Sequence, residues 1–220
     1  MNSTPVWLTA LAVLGTWVIA ALALWGEKIK ATLFKPDLRL RLLNQVGEFC
    51  PQTLRDGHGH VQEAHDARYY HMQVANKAAF PQARDVQVLI IAVDRRGPTG
   101  DPQRVYTGAL PLGWRHGELH PTARPIGTKT EADADLMWVR QGRLQLTPMV
   151  APNNFPPFFT GETHIWITAV ARGIESESNI VRLRIDWDGA WDRGDAEMAK
   201  HLVISEIRDD PAGASTARGS

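Results

Sequence analysis

The chain of 220 residues contains 24 basic and 24 acidic residues, 44% hydrophobic residues and one cysteine. The zero net charge argues against a nucleic-acid-binding protein, which usually carries a basic excess. The hydrophobic fraction argues against a disordered chain. A single cysteine excludes an internal disulfide and a zinc site built on two or more thiolates. The length is that of one domain with a short appendage.

The uncharged beginning of the chain predicts a transmembrane helix. The first 26 residues contain no Asp, Glu, Lys or Arg, and residues 6–25 read VWLTALAVLGTWVIAALALW. Twenty helical residues rise about 30 Å, which is the thickness of the hydrocarbon core of a bilayer. Trp7 and Trp25 lie at the two ends of the span, where indole side chains favour the headgroup boundary.

A cleavable signal peptide is the alternative to a permanent anchor, because Ala21 and Ala23 could be the small residues of a cleavage site. The anchor is favoured, since no Lys or Arg precedes the apolar run, as it would in a signal peptide. The run is also longer than the apolar region of a signal peptide, which is usually about 7–15 residues. Five basic residues follow the run: Lys28, Lys30, Lys35, Arg39 and Arg41. The positive-inside rule therefore predicts a cytoplasmic domain after the span. A periplasmic or extracellular domain is the alternative.

Composition divides the chain into four parts. Residues 1–5 form a short tail before the predicted span, and the helix could continue to residue 34 before Pro36 ends it. Residues 36–208 form the predicted folded domain. Residues 209–220 read DDPAGASTARGS and are predicted to be a disordered tail.

After Pro36 the hydrophobic period changes from that of a helix to that of a strand. Strands are predicted at residues 37–42, 68–75, 85–94, 104–110, 136–140, 143–148, 163–172, 179–187 and 202–207. Residues 194–201 predict the single short helix, and residues 117–135 read as a turn-rich connection. Eight or nine strands with almost no helix indicate a mainly β domain made of two packed antiparallel sheets, a β-sandwich.

Two segments resemble bacterial immunoglobulin-like modules of the adhesion type. Residues 74–88 read VANKAAFPQARDVQV. They resemble the Val-x-Asn-x-Gly pattern of those modules and the strand of alternating valines that follows it. Ala78 stands in place of the glycine. Residues 177–179, Glu-Ser-Asn, resemble the Glu-Ser-Asn-Asn segment near their end. The resemblance implies an immunoglobulin-like sandwich and no particular activity. The layout also resembles single-pass bacterial membrane proteins to which no activity is assigned.

A group of histidines is the first candidate site. Imidazoles and carboxylates, which together can bind a divalent metal, occur at His58, His60, His65, His71, Asp56, Glu63 and Asp66. The stretch 58–66 reads as a loop, however, and no His-Glu-x-x-His helix fixes the spacing of ligands. A solvated polar loop is the favoured interpretation, and a metal-dependent enzyme that uses His58–His71 is the alternative.

Two acidic segments are further candidate sites. Asp186, Asp188 and Asp192 resemble part of a calcium loop, but Ala190 stands where a ligand is required and Glu197 is out of register for the last one. A strand end followed by a turn is therefore favoured there.

The second acidic segment contains Glu131, Asp133 and Asp135, which alternate with alanines. On a strand these carboxylates would share one face and repel one another. A solvated loop edge is the expectation for this segment.

No pattern predicts catalysis. The sequence lacks a Gly-x-Ser-x-Gly elbow and the glycine-rich phosphate loops, and nothing local indicates that Cys50, followed by Pro51, is activated. We therefore predict that the protein is not an enzyme, and assign no catalytic, cofactor-binding or metal-binding residue.

The aromatic segment 152–159 reads PNNFPPFF. It could dock a partner or dip into a membrane, or it could fold over one end of the sandwich and complete the core. Packing is favoured, and Trp114 and Trp138 are expected in the core or at its rim.

Together these patterns predict a single-pass membrane protein that presents an immunoglobulin-like β-sandwich for non-catalytic binding or assembly. The expected contacts are the lipid bilayer, through residues 6–25, and a protein partner of unknown identity, with no nucleic acid. The first alternative is an exported domain that binds envelope glycans or a secreted partner. The second is the metal-dependent enzyme.

Overall fold

The computed structural model describes residues 14–20, 25–26, 35–55, 61–115, 123–156 and 158–207, with the backbone alone at 52–55 and 61–65. Most of the predicted span, the tail 1–5 and the tail 209–220 lie outside these ranges. Residues 14–20 are helical. Among the described residues no helix is both long and apolar enough to cross a bilayer, so the span stays a prediction.

The described part of the chain after residue 35 is built from strands. They are β1 Leu38–Leu42, β2 Glu48–Arg55, β3 Val61–Asn76, β4 Ala83–Arg96, β5 Pro102–Pro111, β6 Arg124–Ile126, β7 Glu131–Arg140, β8 Arg143–Leu146, β9 Thr163–Arg172, β10 Val181–Trp187 and β11 Leu202–Ile207. A single helix after residue 35, α1, spans Asp195–His201 and buries Met198.

The strands form two antiparallel sheets. The first has the order β1-β3-β7-β8, and β2 also pairs with β3. Because β3 is sixteen residues long, β1 pairs with its second half and β2 with its first half. The second sheet has the order β11-β10-β9-β4-β5, with β6 on β4. The predicted mainly β, antiparallel fold is confirmed.

The period-two pattern of the sequence explains the core. In β10 the side chains of Val181, Leu183 and Ile185 are fully buried, whereas Arg182 and Arg184 between them are exposed. The same alternation recurs in β9, and the buried side chains of both sheets join in one hydrophobic cluster. Each sheet thus places one face on the core and leaves the other for solvent or ligands.

Three local predictions were wrong. Residues 61–66, interpreted as part of a loop, are the beginning of β3. The turn-rich connection 117–135 contains β6 and the start of β7. Strand β2 was not predicted, because Pro51 interrupts it and its side chains do not alternate in polarity.

An asparagine joins the two sheets at the edge strand β1. The side chain of Asn179, just before β10, accepts a hydrogen bond from Leu40 N over 2.9 Å and donates one to Leu40 O over 3.0 Å. These backbone groups point away from β3 and would otherwise be an open edge. The bonds therefore tie the second sheet to the edge of the first.

Candidate functional site

The outer face of the second sheet contains a shallow cleft of about 580 Å³. Three arginines line it, Arg104 from β5, Arg172 from the end of β9 and Arg182 from β10. Apolar side chains, among them Ile91 and Ile180, line the rest. The cleft thus combines an apolar surface with three guanidinium groups.

Two irregular positions in neighbouring strands lie in this cleft. The register of β4 shifts between Ile90 and Ala92 against both of its partners, β5 and β9, so Ile91 has no partner on either side. On β5 the residues left between paired positions are Gly108 and Ala109. Bulges bend a strand and re-aim its side chains. They therefore place Ile91, Gly108 and Ala109 in the lining.

Two of the three arginines of the cleft have a carboxylate partner. Arg172 Nε lies 2.8 Å from Glu177 Oε2, and both side chains are about half exposed. Arg104 pairs with Asp94 and donates to Thr107 Oγ1 over 3.1 Å. Exposed ion pairs contribute only about 0–1 kcal/mol. A ligand anion can therefore replace Glu177 as the partner of the Arg172 guanidinium, which bonds carboxylates and phosphates in a planar, two-pronged geometry.

The arginines of the cleft can bind an anion. The described residues that line it include no carboxylate, imidazole or thiol. General acid–base catalysis needs such a group within hydrogen-bonding reach of the reacting atoms. The lining instead suits an anion attached to an apolar group.

A histidine lies further along the same face, away from the cleft. His164 on β9 contacts Asp186 Oδ1 through Nδ1 at 2.6 Å and Glu162 Oε1 through Nε2 at 3.0 Å. The hydrogen bond to Asp186, followed by that to Glu162, raises the pKa of His164. Arg184 Nε also lies 2.8 Å from Asp186 Oδ2, so this carboxylate contacts both His164 and an arginine.

The structure does not bring the three aspartates of the suggested calcium loop together. Asp186 contacts His164, as above, while Asp188 accepts the backbone N–H of Ala190 over 2.8 Å. Asp192 accepts the N–H of Gly194 over 2.7 Å. Each carboxylate thus has its own partner, and the expected strand end followed by a turn is confirmed.

The histidine candidate is only partly described. His58, His60 and Asp56 lie outside the described residues, and His65 and Glu63 are described by their backbone alone. His71 Nδ1 lies 2.9 Å from Asp135 Oδ1, and its ring stacks on Tyr69. Within the described part of the chain, no group of three or more His, Cys, Asp or Glu side chains could hold a metal ion.

The acidic segment 131–135 is the start of β7, so the expected loop edge was wrong. Each carboxylate there has a donor from elsewhere in the chain. The pairs are Glu131 with Lys77 at 3.0 Å, Asp133 with the Gln73 amide at 3.1 Å, and Asp135 with His71 at 2.9 Å. Arg115 adds a bidentate pair to Glu48 and lies 3.7 Å from Asp133. These cross-strand donors offset the repulsion.

The aromatic segment 152–159 closes the core. Phe155 and Phe159 are buried, and Phe155 packs edge-on against Tyr106 with ring centroids 5.4 Å apart. Phe158 remains 41% exposed beneath the Arg143 guanidinium. Packing, the favoured alternative, is confirmed for two of the three phenylalanines.

The two tryptophans expected in or near the core are found there. Trp114 is buried, and Trp138 is half-buried under Arg140, whose guanidinium carbon lies 4.4 Å from the ring centroid. Cys50, on β2, is exposed.

The arginine cleft itself was missed by sequence reasoning. Arg104 is far from Arg172 and Arg182 in the chain, and each looks like an ordinary solvent-facing strand residue. The one available signal was the run of non-alternating apolar residues around Ile91, which fits a strand covered on both faces as well as a bulge. No protein-family model, curated protein or solved structure matches this chain.

Proposed function

We propose that the protein is a single-pass membrane protein whose immunoglobulin-like β-sandwich binds an anionic, partly apolar ligand in the arginine cleft, without catalysing a reaction. The carboxylate or phosphate of the ligand contacts the guanidinium groups, and its apolar part contacts Ile91 and Ile180. The observation that carries the proposal is the convergence of three arginines on one cleft.

Membrane attachment is supported by the composition of residues 6–25. Of the part that is described, Leu14, Trp17 and Ile19 leave 62%, 73% and 69% of their side chains exposed. Contiguous exposed apolar side chains need a lipid or protein partner. The basic residues that follow the span favour a cytoplasmic domain, and this location is part of the proposal.

The immunoglobulin-like assignment is supported by where the two resembling segments lie. Residues 74–76 end β3, and the Val strand that follows is β4. Residues 177–179 lead into β10, and there Asn179 binds Leu40 of the first sheet. The first segment thus connects the two sheets, and the second, which connects β9 to β10 within the second sheet, contains the asparagine that reaches β1.

The cleft is tested with phenyl phosphate, which carries an anion on an apolar ring, added to the full chain in phosphatidylcholine nanodiscs. Binding is measured by saturation-transfer NMR and calorimetry. Hydrogen bonds to charged groups contribute about 1.5–3 kcal/mol. Arg182→Gln or Arg172→Gln should therefore weaken binding about tenfold or more, at about 1.4 kcal/mol per tenfold.

The matched control is Arg143→Gln, an exposed arginine of the first sheet that lies over Phe158 and not in the cleft. This variant should bind phenyl phosphate as the unmodified chain does. Benzyl alcohol, which is neutral, should bind weakly to the unmodified chain and to every variant. Equal loss of phenyl phosphate binding in Arg143→Gln and Arg182→Gln would show that only general surface charge is measured, and would refute the cleft.

A further inference from the structure

The chain enters the folded domain at one end of the sandwich. Four segments meet there, namely residues 35–37, 77–82, 127–130 and 173–180. Lys77 N donates to Asp37 O over 2.8 Å, and the amide of Lys129 bonds to the end of β3. Ile174 N donates to Arg84 O over 3.2 Å, which adds the connection after β9. We call these four segments the entry end.

Large apolar side chains are exposed at the entry end. Phe80 is 71% exposed, Ile174 61% and Ile180 57%. These are three of the five large apolar side chains between residues 35 and 207 that are described as more than half exposed. The hairpin tips at the opposite end, residues 97–101 and 141–142, contain only Gly, Pro, Thr, Asp and Gln. The two ends therefore differ in what they can contact.

Basic side chains surround these apolar ones, but they add little net charge. Lys77 lies 3.0 Å from Glu131, and Arg84 lies 2.5 Å from Glu175, with all four side chains well exposed. A surface that inserts into the boundary between headgroups and acyl chains needs apolar side chains, with Lys or Arg able to reach phosphates. At the entry end the apolar side chains would therefore supply most of the attraction to a bilayer.

The position of the predicted span selects the partner of this surface. Nine residues, 26–34, separate the span from the entry end. Even a fully extended chain of nine residues reaches only about 30 Å, and a continued helix reaches about 14 Å. The entry end is thus the part of the domain that is tethered closest to the bilayer.

We propose that the entry end rests in the headgroup layer of the bilayer, with Phe80 and Ile174 inserted at the boundary of the acyl chains. This inference rests on the proposed membrane anchor. It fixes the orientation of the domain, with β-strands roughly upright on the membrane and the cleft opening sideways just above the headgroups.

The test uses the full chain in phosphatidylcholine vesicles with spin-labelled lipid. In a Cys50→Ser background, single cysteines are placed at Phe80, Ile174 or Gln141 and labelled with the fluorophore NBD. Gln141 is the control, because it is an exposed hairpin tip at the far end of β7, about 30 Å from the entry end at about 3.3 Å per residue. Labels at 80 and 174 should show blue-shifted emission and lose intensity to the quencher, and the label at 141 should not.

Val150→Cys provides a second control, since Val150 is apolar and 70% exposed. It lies away from the entry end, because the preceding Met149 bonds to Pro111, which pairs with Leu89 in the middle of β4. A label at 150 that is quenched as strongly as those at 80 and 174 would overturn the proposed orientation, as would the absence of quenching at all four positions. Carbonate extraction of the same vesicles separates the two failures. Release of the chain would refute the membrane anchor itself. Retention of the chain without quenching at 80 and 174 would refute only the contact of the entry end with the bilayer.

Discussion

At the scale of single residues, most of the charged side chains that the structure describes have a nearby partner of opposite charge. The pairs at the surface, such as Lys77 with Glu131, contribute little to stability. Those that are partly buried or have several partners matter more. His164 is one such case, since it bonds both Asp186 and Glu162, and the uncharged Asn179 makes two hydrogen bonds to the edge strand β1.

Protonated His164 should stabilise the second sheet. Its hydrogen bonds to Asp186 and Glu162 raise its pKa, so the folded state holds a proton that the unfolded state releases at a lower pH. This stabilisation is fully present below the unfolded pKa of about 6.5 and is lost as the pH rises through the raised, folded value. The difference in unfolding free energy between the unmodified chain and His164→Gln should therefore be larger at about pH 5.5 than at about pH 9.

Asp186→Asn checks the cause of that effect. The variant removes the charged acceptor that is the largest contribution to the shift, so the pKa of His164, followed by NMR of the imidazole protons, should fall toward its ordinary value. An unchanged titration in Asp186→Asn would contradict the assigned cause.

Asn179→Ala should destabilise the domain by about 1–3 kcal/mol, since it removes two hydrogen bonds of about 0.5–1.5 kcal/mol each. Both bonds go to the backbone of Leu40 on the edge strand β1. Chemical denaturation measures the loss. Asn179→Asp keeps the acceptor for Leu40 N but not the donor to Leu40 O. Its stability should therefore lie between that of the unmodified chain and that of Asn179→Ala. A fully stable Asn179→Ala would show that β1 does not need this link.

At the scale of elements, tight turns decide how the strands of the first sheet meet. Gly47 connects β1 to β2 with a φ of +75°, and Gly142 connects β7 to β8 with the same φ. Their surroundings differ. A Cβ on Gly47 would lie 2.8 Å from the carbonyl oxygen of Tyr69 and from the ring of Tyr70, whereas nothing lies within 4 Å of one on Gly142.

Alanine substitutions at these two glycines separate the cost of backbone strain from the cost of steric crowding by neighbouring atoms. Gly142→Ala should cost about 1–2 kcal/mol, the penalty of an L-residue in the left-handed region. Gly47→Ala should cost about 1–3 kcal/mol more, because the buried strand β3 must also move. Thermal and urea unfolding of the two variants measure the difference. Equal losses would mean that the turn before β2 relaxes without disturbing β3.

How much of the fold could be predicted from sequence depended on how many faces each strand buries. Strands β9 and β11 were predicted with the boundaries that the structure has, because apolar residues at every second position of each strand face the core. The acidic start of β7 could not be recognised, since its carboxylates are satisfied by Gln73, His71 and Lys77, which pair with it only after folding. A local rule on charge repulsion has no access to these partners.

The candidate site was beyond sequence reasoning for the same reason. Its arginines come from three strands, and the cleft exists because the registers of β4 and β5 both shift next to Ile91. Alternation predicts which residues face outward, but it does not predict which outward residues of different strands become neighbours. Those neighbours are set by register, and register is set by long-range pairing.

At the scale of the whole molecule, charged and apolar residues are unevenly distributed along the sequence. The uncharged segment comes first, the basic residues Lys28, Lys30 and Lys35 follow, and the sandwich begins at its entry end, where Phe80 and Ile174 are exposed. The arginine cleft lies on the side of the second sheet, with Ile180 shared between it and the entry end. A ligand held there would sit close to the bilayer surface, on whichever side the domain lies.

The lone cysteine can report on which side of the membrane the domain lies. Cys50 is exposed on β2, and the positive-inside rule predicts a cytoplasmic domain. A membrane-impermeant maleimide should therefore leave Cys50 unlabelled in intact spheroplasts and label it after permeabilisation. In a Cys50→Ser chain, Ser3→Cys reports the opposite side, since residues 1–5 precede the predicted span, and it should be labelled before permeabilisation. The reverse pattern, with Cys50 labelled and residue 3 protected in intact spheroplasts, would place the cleft outside the cytoplasm and favour an exported binding domain.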